Sequence, residues 1–369
     1  MNIKVWDYKE EYKELREEIL EAVDRVFSSG QLILGKEVSN FEKEFAQYCQ
    51  ADVDGVGVNS GTDALFIALK SLEIGAGDEV ITVSNTAVPT VAAITSTGAK
   101  AAFVDVEERS FLMDPDKLEK AITPKTKCIL PVHLYGQCVD MEKIRKISDR
   151  YELKILEDCA QATGATYGGK HPGTIGDAAA WSFYPTKLLG GYGDGGMVTT
   201  NEFAIAERAR HLRMYGMKGR YYAEEHGYNS RLDEVQAAIL RVKLKYLDQW
   251  LAERMKIAEY YESVLSDTDL ILPSECEENK HGWYVYVVRH KQRDKIISEL
   301  AKHDISVNIS YPWPIHIMPA YRYLGYKEGD FPVTEQLASE IFSLPMYPTL
   351  SEAKQLQITD SLIEILRSL

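Results

Sequence analysis

The sequence predicts an α/β protein in which a mostly parallel sheet is flanked by helices and followed by a smaller α+β C-terminal domain. Three observations carry the prediction. Short apolar, strand-like runs alternate with helical stretches through the first half of the chain, the pattern of a sheet covered by helices on both faces. The chain has 369 residues, long enough for one large domain and a smaller one. Its apolar fraction of 45% and charged fraction of 27% are those of a folded globular protein, without disordered or repetitive bias.

Taken in order, Tyr12, Leu15, Ile19, Val23, Val26 and Phe27 recur at three- and four-residue steps, predicting an amphipathic helix over 8–28. Ser28-Ser29-Gly30 stops it, and Gln31-Leu32-Ile33-Leu34-Gly35 leads into a second helix through Phe41, Phe45 and Tyr48. Residues 55–59 read as a short strand, and Ser60-Gly61-Thr62-Asp63-Ala64-Leu65 opens the next helix. Ser60 or Thr62 suits a helix cap. A turn of small residues at a helix N-terminus is also an anion site, because its free N–H groups point outward. Further strands are expected at 79–83, 101–106, 128–132, 155–157, 179–184 and 197–200. The stretch 232–265 lacks internal Gly and Pro and reads as one long helix bridging into the C-terminal domain. That domain holds a strand at 283–288, a helix near 294–303 and a final amphipathic helix from Ser351. No linker-like segment separates the parts, and the division is placed at 1–245 and 246–369.

The net charge of −14 argues against nucleic acid or an anionic membrane as partner. No apolar run approaches bilayer-spanning length, and the start, MNIKVWDYKEEYKEL, is too charged for a signal peptide. Five scattered cysteines (Cys49, Cys128, Cys138, Cys159, Cys276) lack metal-ligand spacing, so a reduced cytoplasmic protein without a metal is expected.

The stretch 154–200 concentrates the chemistry. One strand ends in Glu157-Asp158; another ends in Pro185-Thr186-Lys187, followed by the glycine-dense GGYGDGG. Ligands of parallel α/β sheets sit outside the carboxyl ends of the strands, so both groups are expected at one pocket. A lysine held neutral is a Schiff-base catalyst, and a carboxylate facing a pyridinium nitrogen is the recognised partner of pyridoxal phosphate. One Asp and one Lys alone are also compatible with an ordinary strand end and surface, and GDGG with plain turn chemistry.

Together the motifs resemble the active-site core of the DegT–StrS family of sugar aminotransferases, fold-type I pyridoxal-phosphate enzymes. They are Glu157-Asp158-Cys159-Ala160-Gln161, then Gly176-Asp177 running to Ser182-Phe183-Tyr184-Pro185-Thr186-Lys187, then Gly193-Asp194-Gly195-Gly196. The resemblance implies that Lys187 bears the cofactor and, once released, moves the proton, while Asp158 faces the ring nitrogen and Gln161 the ring hydroxyl. It implies a phosphate site at Gly61, Thr62 and Ser182, completed by Asn229 reaching across the interface of a homodimer with composite sites. Tyr184 is expected at the substrate. So are Tyr311 and His316, in a loop similar to the Y-P-x-P-x-H loop of members acting at C-3 of nucleotide-linked ketosugars.

The implied reaction moves an amino group from L-glutamate, through the pyridoxamine phosphate form, to a dTDP- or UDP-linked keto-deoxysugar. Transfer at C-4 is the nearest alternative. A dehydratase is disfavoured, because that branch carries His where this chain has Lys187. A nicotinamide dehydrogenase would need a G-x-G-x-x-G turn opening a helix, and the residues after GYGDGG read as strand. A non-catalytic regulator on the same fold is the alternative of another class. Many members stack an aromatic residue on the cofactor ring near Ala87, so the stacking group is open here. His133, after the 128–132 strand, is compatible with either a pocket or a structural role.

Overall fold

The computed structural model describes residues 2–369. Seven strands form the central sheet: β1 (Val56–Val58), β2 (Glu79–Val83), β3 (Lys100–Val104), β4 (Thr126–Ile129), β5 (Lys154–Asp158), β6 (Ala178–Ser182) and β7 (Gly196–Thr199). Their spatial order is β1-β7-β6-β5-β4-β2-β3. All pairings among β2 to β6 are parallel, and β7 alone runs against both its neighbours, β1 and β6. Parallel neighbours need long crossovers, whereas antiparallel ones are joined directly. The chain therefore leaves β6, makes the loop 183–195 and returns as β7. This places Lys187 beyond the carboxyl end of β6, beside Asp158 at the end of β5.

Covered on both faces, β2, β6 and β7 are buried at every position, as interior strands between helical layers must be. Ile67, Leu69, Val80, Ile81, Ile129 and Leu156 belong to the main core. A separate aromatic cluster joins Phe41, Phe45, Trp181 and Phe183, with edge-to-face contacts at 5.1–5.2 Å. Such rings bury large apolar areas and fix mutual orientation. A third core fills the C-terminal part, where β8 (Tyr286–Arg289) pairs antiparallel with β9 (Ile341–Leu344) under the helices Leu247–Leu265 and Glu352–Arg367. Ile3 packs into this C-terminal core, while Ile315, Tyr321 and Phe331 pack back into the sheet core.

Two sequence expectations need correction. The single helix over 232–265 is two helices, Glu234–Leu244 and Leu247–Leu265. Tertiary ties outweigh helix propensity at the break. Lys243 is drawn inward to Glu11 and the Gly190 carbonyl, while the Tyr246 hydroxyl donates to Glu18. The strand expected from 283 begins at Tyr286, because Trp283 is left-handed (φ 49°) and the Tyr284 N–H donates to the Tyr135 carbonyl at 3.1 Å. Among the described residues no helix is long and apolar enough to cross a membrane.

Candidate active site

The carboxyl ends of β1, β5 and β6 meet at one edge of the sheet, around a cavity of about 230 Å³. Gly61, Thr62, Asp158, Gln161, Ser182, Tyr184 and Lys187 all line it, joined by Thr86, Ala87, Thr90 and Val132. Seven residues singled out in the sequence thus share one wall.

Asp158 is buried, and its backbone is pinned on both sides. Its N–H donates to the Pro131 carbonyl (2.9 Å), and its carbonyl accepts from His133 N–H (3.0 Å). One carboxylate oxygen accepts from Thr90 Oγ1 (2.9 Å) and the other from Ala160 N–H (3.2 Å). Burial pushes this carboxyl above the usual carboxylate range, outweighing Thr90, Ala160 and the more distant Lys187 and His133. A buried carboxylate with so little support for its charge gains from any cationic N–H entering the cavity.

Lys187 closes a turn in which its N–H donates to the Tyr184 carbonyl (2.8 Å). Its Nζ lies 4.6 Å from the centre of the Tyr284 ring. The glycines that follow are required by close packing. A Cβ on Gly190 would lie 2.4 Å from the Pro185 carbonyl oxygen, and one on Gly196 would lie 2.2 Å from that of Ser60. GGYGDGG therefore folds the lysine loop onto itself and seats β7 against the helix that follows β1.

That helix, Gly61–Ser71, is capped by Ser60, whose Oγ accepts from Asp63 N–H (3.1 Å). Its first i−4 bond runs from Ala64 N–H to the Ser60 carbonyl, so the N–H groups of Gly61 and Thr62 precede the helical ladder and are open to an anion. Ser182 closes the cradle, since a Cβ on Gly61 would lie 2.6 Å from Ser182 Cβ and 3.0 Å from its Oγ.

Gln161 ties the cavity to two loops. Its Oε1 accepts from Tyr135 N–H (2.9 Å), and its Nε2 donates to the Tyr311 hydroxyl. Tyr311, expected at the substrate, is thus brought to the cavity margin. His316 is not. It is fully buried, with Nδ1 2.7 Å from Ser84 Oγ and Nε2 3.0 Å from Glu335 Oε1, so both ring nitrogens are spent bracing the loop. The loop divides after Tyr311, and the expectation of a substrate contact at His316 gives way to a structural role. Asn229 is exposed and does not line this chain's cavity, and its carbonyl accepts from Asn59 Nδ2 (3.3 Å).

His133 also resolves to structure. Its Nδ1 accepts from Val139 N–H (3.1 Å), and its Nε2 lies 2.8 Å from Glu157. The ligand atoms of His133, Glu157 and Cys159 lie within 4.8 Å of one another, yet Glu157 is already taken by His133 and the backbone N–H groups of Gly173, Ile175 and Gly176. Burial alone would raise Glu157; these donors overcome it and hold the carboxyl below its usual value. Thr90 and Tyr284 escaped the sequence reading, in which Glu157 stands in its motif without a role. Only Thr90 left a trace, at i+4 from Thr86, to which it is hydrogen-bonded at 2.8 Å.

A model of the DegT/DnrJ/EryC1/StrS aminotransferase family matches residues 13–363. The chain is 52% identical to a dTDP-3-amino-3,4,6-trideoxy-alpha-D-glucose transaminase of Micromonospora megalomicea subsp. nigra, over 100% of both chains. It is 44% identical to a pleiotropic regulatory protein of Geobacillus stearothermophilus, over 100% of this chain and 99% of that one. Among solved structures, S. venezuelae DesV superposes with a TM-score of 0.96 at 44% identity, covering 98% of each chain. The ntda protein of Bacillus subtilis, solved with its cofactor bound as pmp, gives 0.90 at 30% identity over 96% of this chain and 82% of that one.

The cofactor is pyridoxal 5′-phosphate. The cavity's donor set suits it, with a buried acid for a ring cation, an amine for an aldehyde and a helix N-terminus with a serine for a phosphate. Fold, cavity and similarity agree: the chain belongs to the DegT/DnrJ/EryC1/StrS aminotransferase family and is a pyridoxal-phosphate-dependent aminotransferase.

Proposed function

We propose that this protein transfers an amino group from L-glutamate to C-3 of a nucleotide-linked keto-deoxysugar, with dTDP as the carrier. The observation that carries the reading is the convergence of Lys187 and Asp158 on one cavity, in a chain 52% identical throughout to a transaminase of a dTDP-3-amino sugar. Those two groups on one wall also favour catalysis over a purely regulatory role.

Bound pyridoxal phosphate supplies the aldehyde that takes up nitrogen and the ring that delocalises the electron pair left on the donor's α-carbon. The chain supplies position and protons. Asp158 keeps the ring nitrogen protonated, which offsets the cost of burying its own charge. Gly61 and Thr62 N–H groups and Ser182 Oγ take the phosphate, and Gln161 takes the ring hydroxyl. Lys187 bears the cofactor at rest, then as a free amine moves the proton off the α-carbon. Tyr184, 53% exposed at the rim, and Tyr311 meet the sugar. Asn229 completes the phosphate site of a second copy in a homodimer. Exposed Leu32, Ile33, Tyr221 and Tyr222 offer the apolar surface such an assembly buries. The five unpaired cysteines suit a cytoplasmic location.

The test is the absorbance spectrum of the cofactor-loaded protein before and after L-glutamate, with Lys187→Ala alongside. Loss of the visible cofactor band, with 2-oxoglutarate released only when the lysine is present, is the expected result, and a panel of nucleotide-ketosugars then fixes carrier and ring position. A band that survives every amino donor overturns the reading.

A further inference from the structure

Lys187 has a neighbour that the chemistry described so far leaves unused. Tyr284 comes from the C-terminal part of the chain, and its ring face lies 4.6 Å from Lys187 Nζ. Its hydroxyl lies 3.3 Å from Thr186 Oγ1, on the residue before the lysine. One tyrosine therefore grips the lysine turn at two points.

The seat of Tyr284 is built with care. Its N–H donates to the Tyr135 carbonyl at 3.1 Å. Buried Arg254 donates to the carbonyls of Trp283 (3.1 Å), Tyr284 (3.2 Å) and Met346 (3.0 Å), fixing the segment from the other side. Gly136 is left-handed (φ +111°), and a Cβ there would lie 2.8 Å from the backbone nitrogens of both Trp283 and Tyr284. Only glycine lets the two segments approach this closely. Burial pushes the Tyr284 phenol up, but Lys187, Thr186 and Arg254 outweigh it and hold the group below the usual tyrosine value.

We infer that Tyr284 is a positioning residue for Lys187: its ring face and hydroxyl hold the lysine amine at the cavity wall whenever that amine is not bonded to the cofactor. A free lysine has four rotatable side-chain bonds, and proton transfer demands that its nitrogen stay within reach of the donor's α-carbon. An aromatic face attracts the ammonium that forms when the proton is taken up, and the phenol oxygen gives it a fixed acceptor. Tyr284 follows Trp283 of the C-terminal core yet packs against the cluster that holds Leu188 and Leu189, so the amine's position depends on how the C-terminal part seats against the sheet. The inference rests on the functional reading above for what Lys187 does, though not for where it is held.

Two variants separate the contributions. Tyr284→Phe keeps the ring and loses the hydroxyl; Tyr284→Leu loses both. In the cofactor-free protein, trace acetylation of Lys187 is followed by mass spectrometry across pH, with exposed Lys36 as the internal reference. In the loaded protein, the single-turnover rate with saturating L-glutamate is followed by the cofactor band. The expected result is a displaced acetylation profile for Lys187 but not Lys36. The saturating rate should fall roughly tenfold in Tyr284→Phe and on the order of a hundredfold in Tyr284→Leu, at unchanged half-saturation by donor. Wild-type behaviour in either measurement overturns the inference, and Tyr284→Phe decides alone should Tyr284→Leu not fold. If the loaded wild type converts no donor, the functional reading falls, while acetylation still decides whether Tyr284 holds the amine.

Discussion

Glu157 and Asp158 are consecutive on β5, yet they serve opposite faces of the sheet. Strand alternation turns Asp158 into the cavity beside Thr90 and turns Glu157 toward His133 and the turn carrying Gly173 and Gly176. Their pKa values move in opposite directions, Asp158 up and Glu157 down. Burial is the largest influence on both; the number of donors decides the outcome. Glu157 is satisfied by the protein itself, whereas Asp158 keeps capacity for a ligand.

Asp158→Asn should therefore stabilise the cofactor-free protein while disabling it. A raised folded-state carboxyl means that the folded chain holds its proton more tightly than the unfolded chain, so stability falls as pH rises through the folded value. Above the folded value the cost of the buried charge is fully present, and the amide removes it. Thr90 can accept from the new amide and donate to Thr86. A gain of ~1–2 kcal/mol in denaturant unfolding is expected, with the half-reaction slowed by at least ~100-fold. A destabilised Asp158→Asn would contradict this account of the site.

Glu157→Gln should do the reverse. Each Glu157 oxygen accepts from two donors, so either orientation of the amide turns its NH₂ against two N–H groups. The expected loss is ~3 kcal/mol at neutral pH. Because the folded-state carboxyl is depressed, this contribution is complete above the ordinary carboxylate value and disappears as pH falls through the folded value. Unfolding curves of variant and wild type should thus converge in acid, while the folded fraction retains its activity.

Lys187→Ala and Asn229→Ala should each be inactive alone and active when mixed. If Asn229 serves the partner's site, random reassortment makes half the dimers mixed, and each mixed dimer has one intact site. Recovery of roughly a quarter of wild-type activity is expected after unfolding and refolding the two together. No recovery above the single variants would place Asn229 outside any shared site.

His316→Ala should cost stability and leave turnover alone. Its ring bridges buried Ser84 and half-buried Glu335 with no surface of its own exposed, so truncation removes one hydrogen bond from each and leaves a cavity. A drop of ~2–3 kcal/mol is expected, with an unchanged rate at saturating sugar. A reduced saturating rate in a fully folded variant would return His316 to the substrate.

Much of the fold was legible because the strand runs are short, apolar and regularly interrupted, and β2 occupies 79–83 as its run predicts. The residues gathered at the cavity were legible because they follow strand ends or open a helix, positions that sequence marks plainly. Other features arise only from contacts between distant segments. Tyr284 meets Lys187 because Gly136 admits its backbone, and no local pattern around residue 284 announces that. The break after Leu244 depends on Glu11, Glu18 and Gly190, far away in the chain. His316 lay in a persuasive motif, but a motif does not reveal which way a ring points.

The placement of β7 also sets a timetable for synthesis. β1 is an edge strand whose sole neighbour in the sheet is β7, and Val56 pairs with Val198, roughly 140 residues later. On the ribosome, β1 and the Gly61–Ser71 helix emerge long before the strand that fixes them. Contacts so distant in sequence form late, after the costly closure of a long loop. The Ser60 carbonyl, packed against Gly196, cannot take its final position until translation has passed the lysine loop. The anion cradle is thus complete only after the lysine loop and β7 have been made.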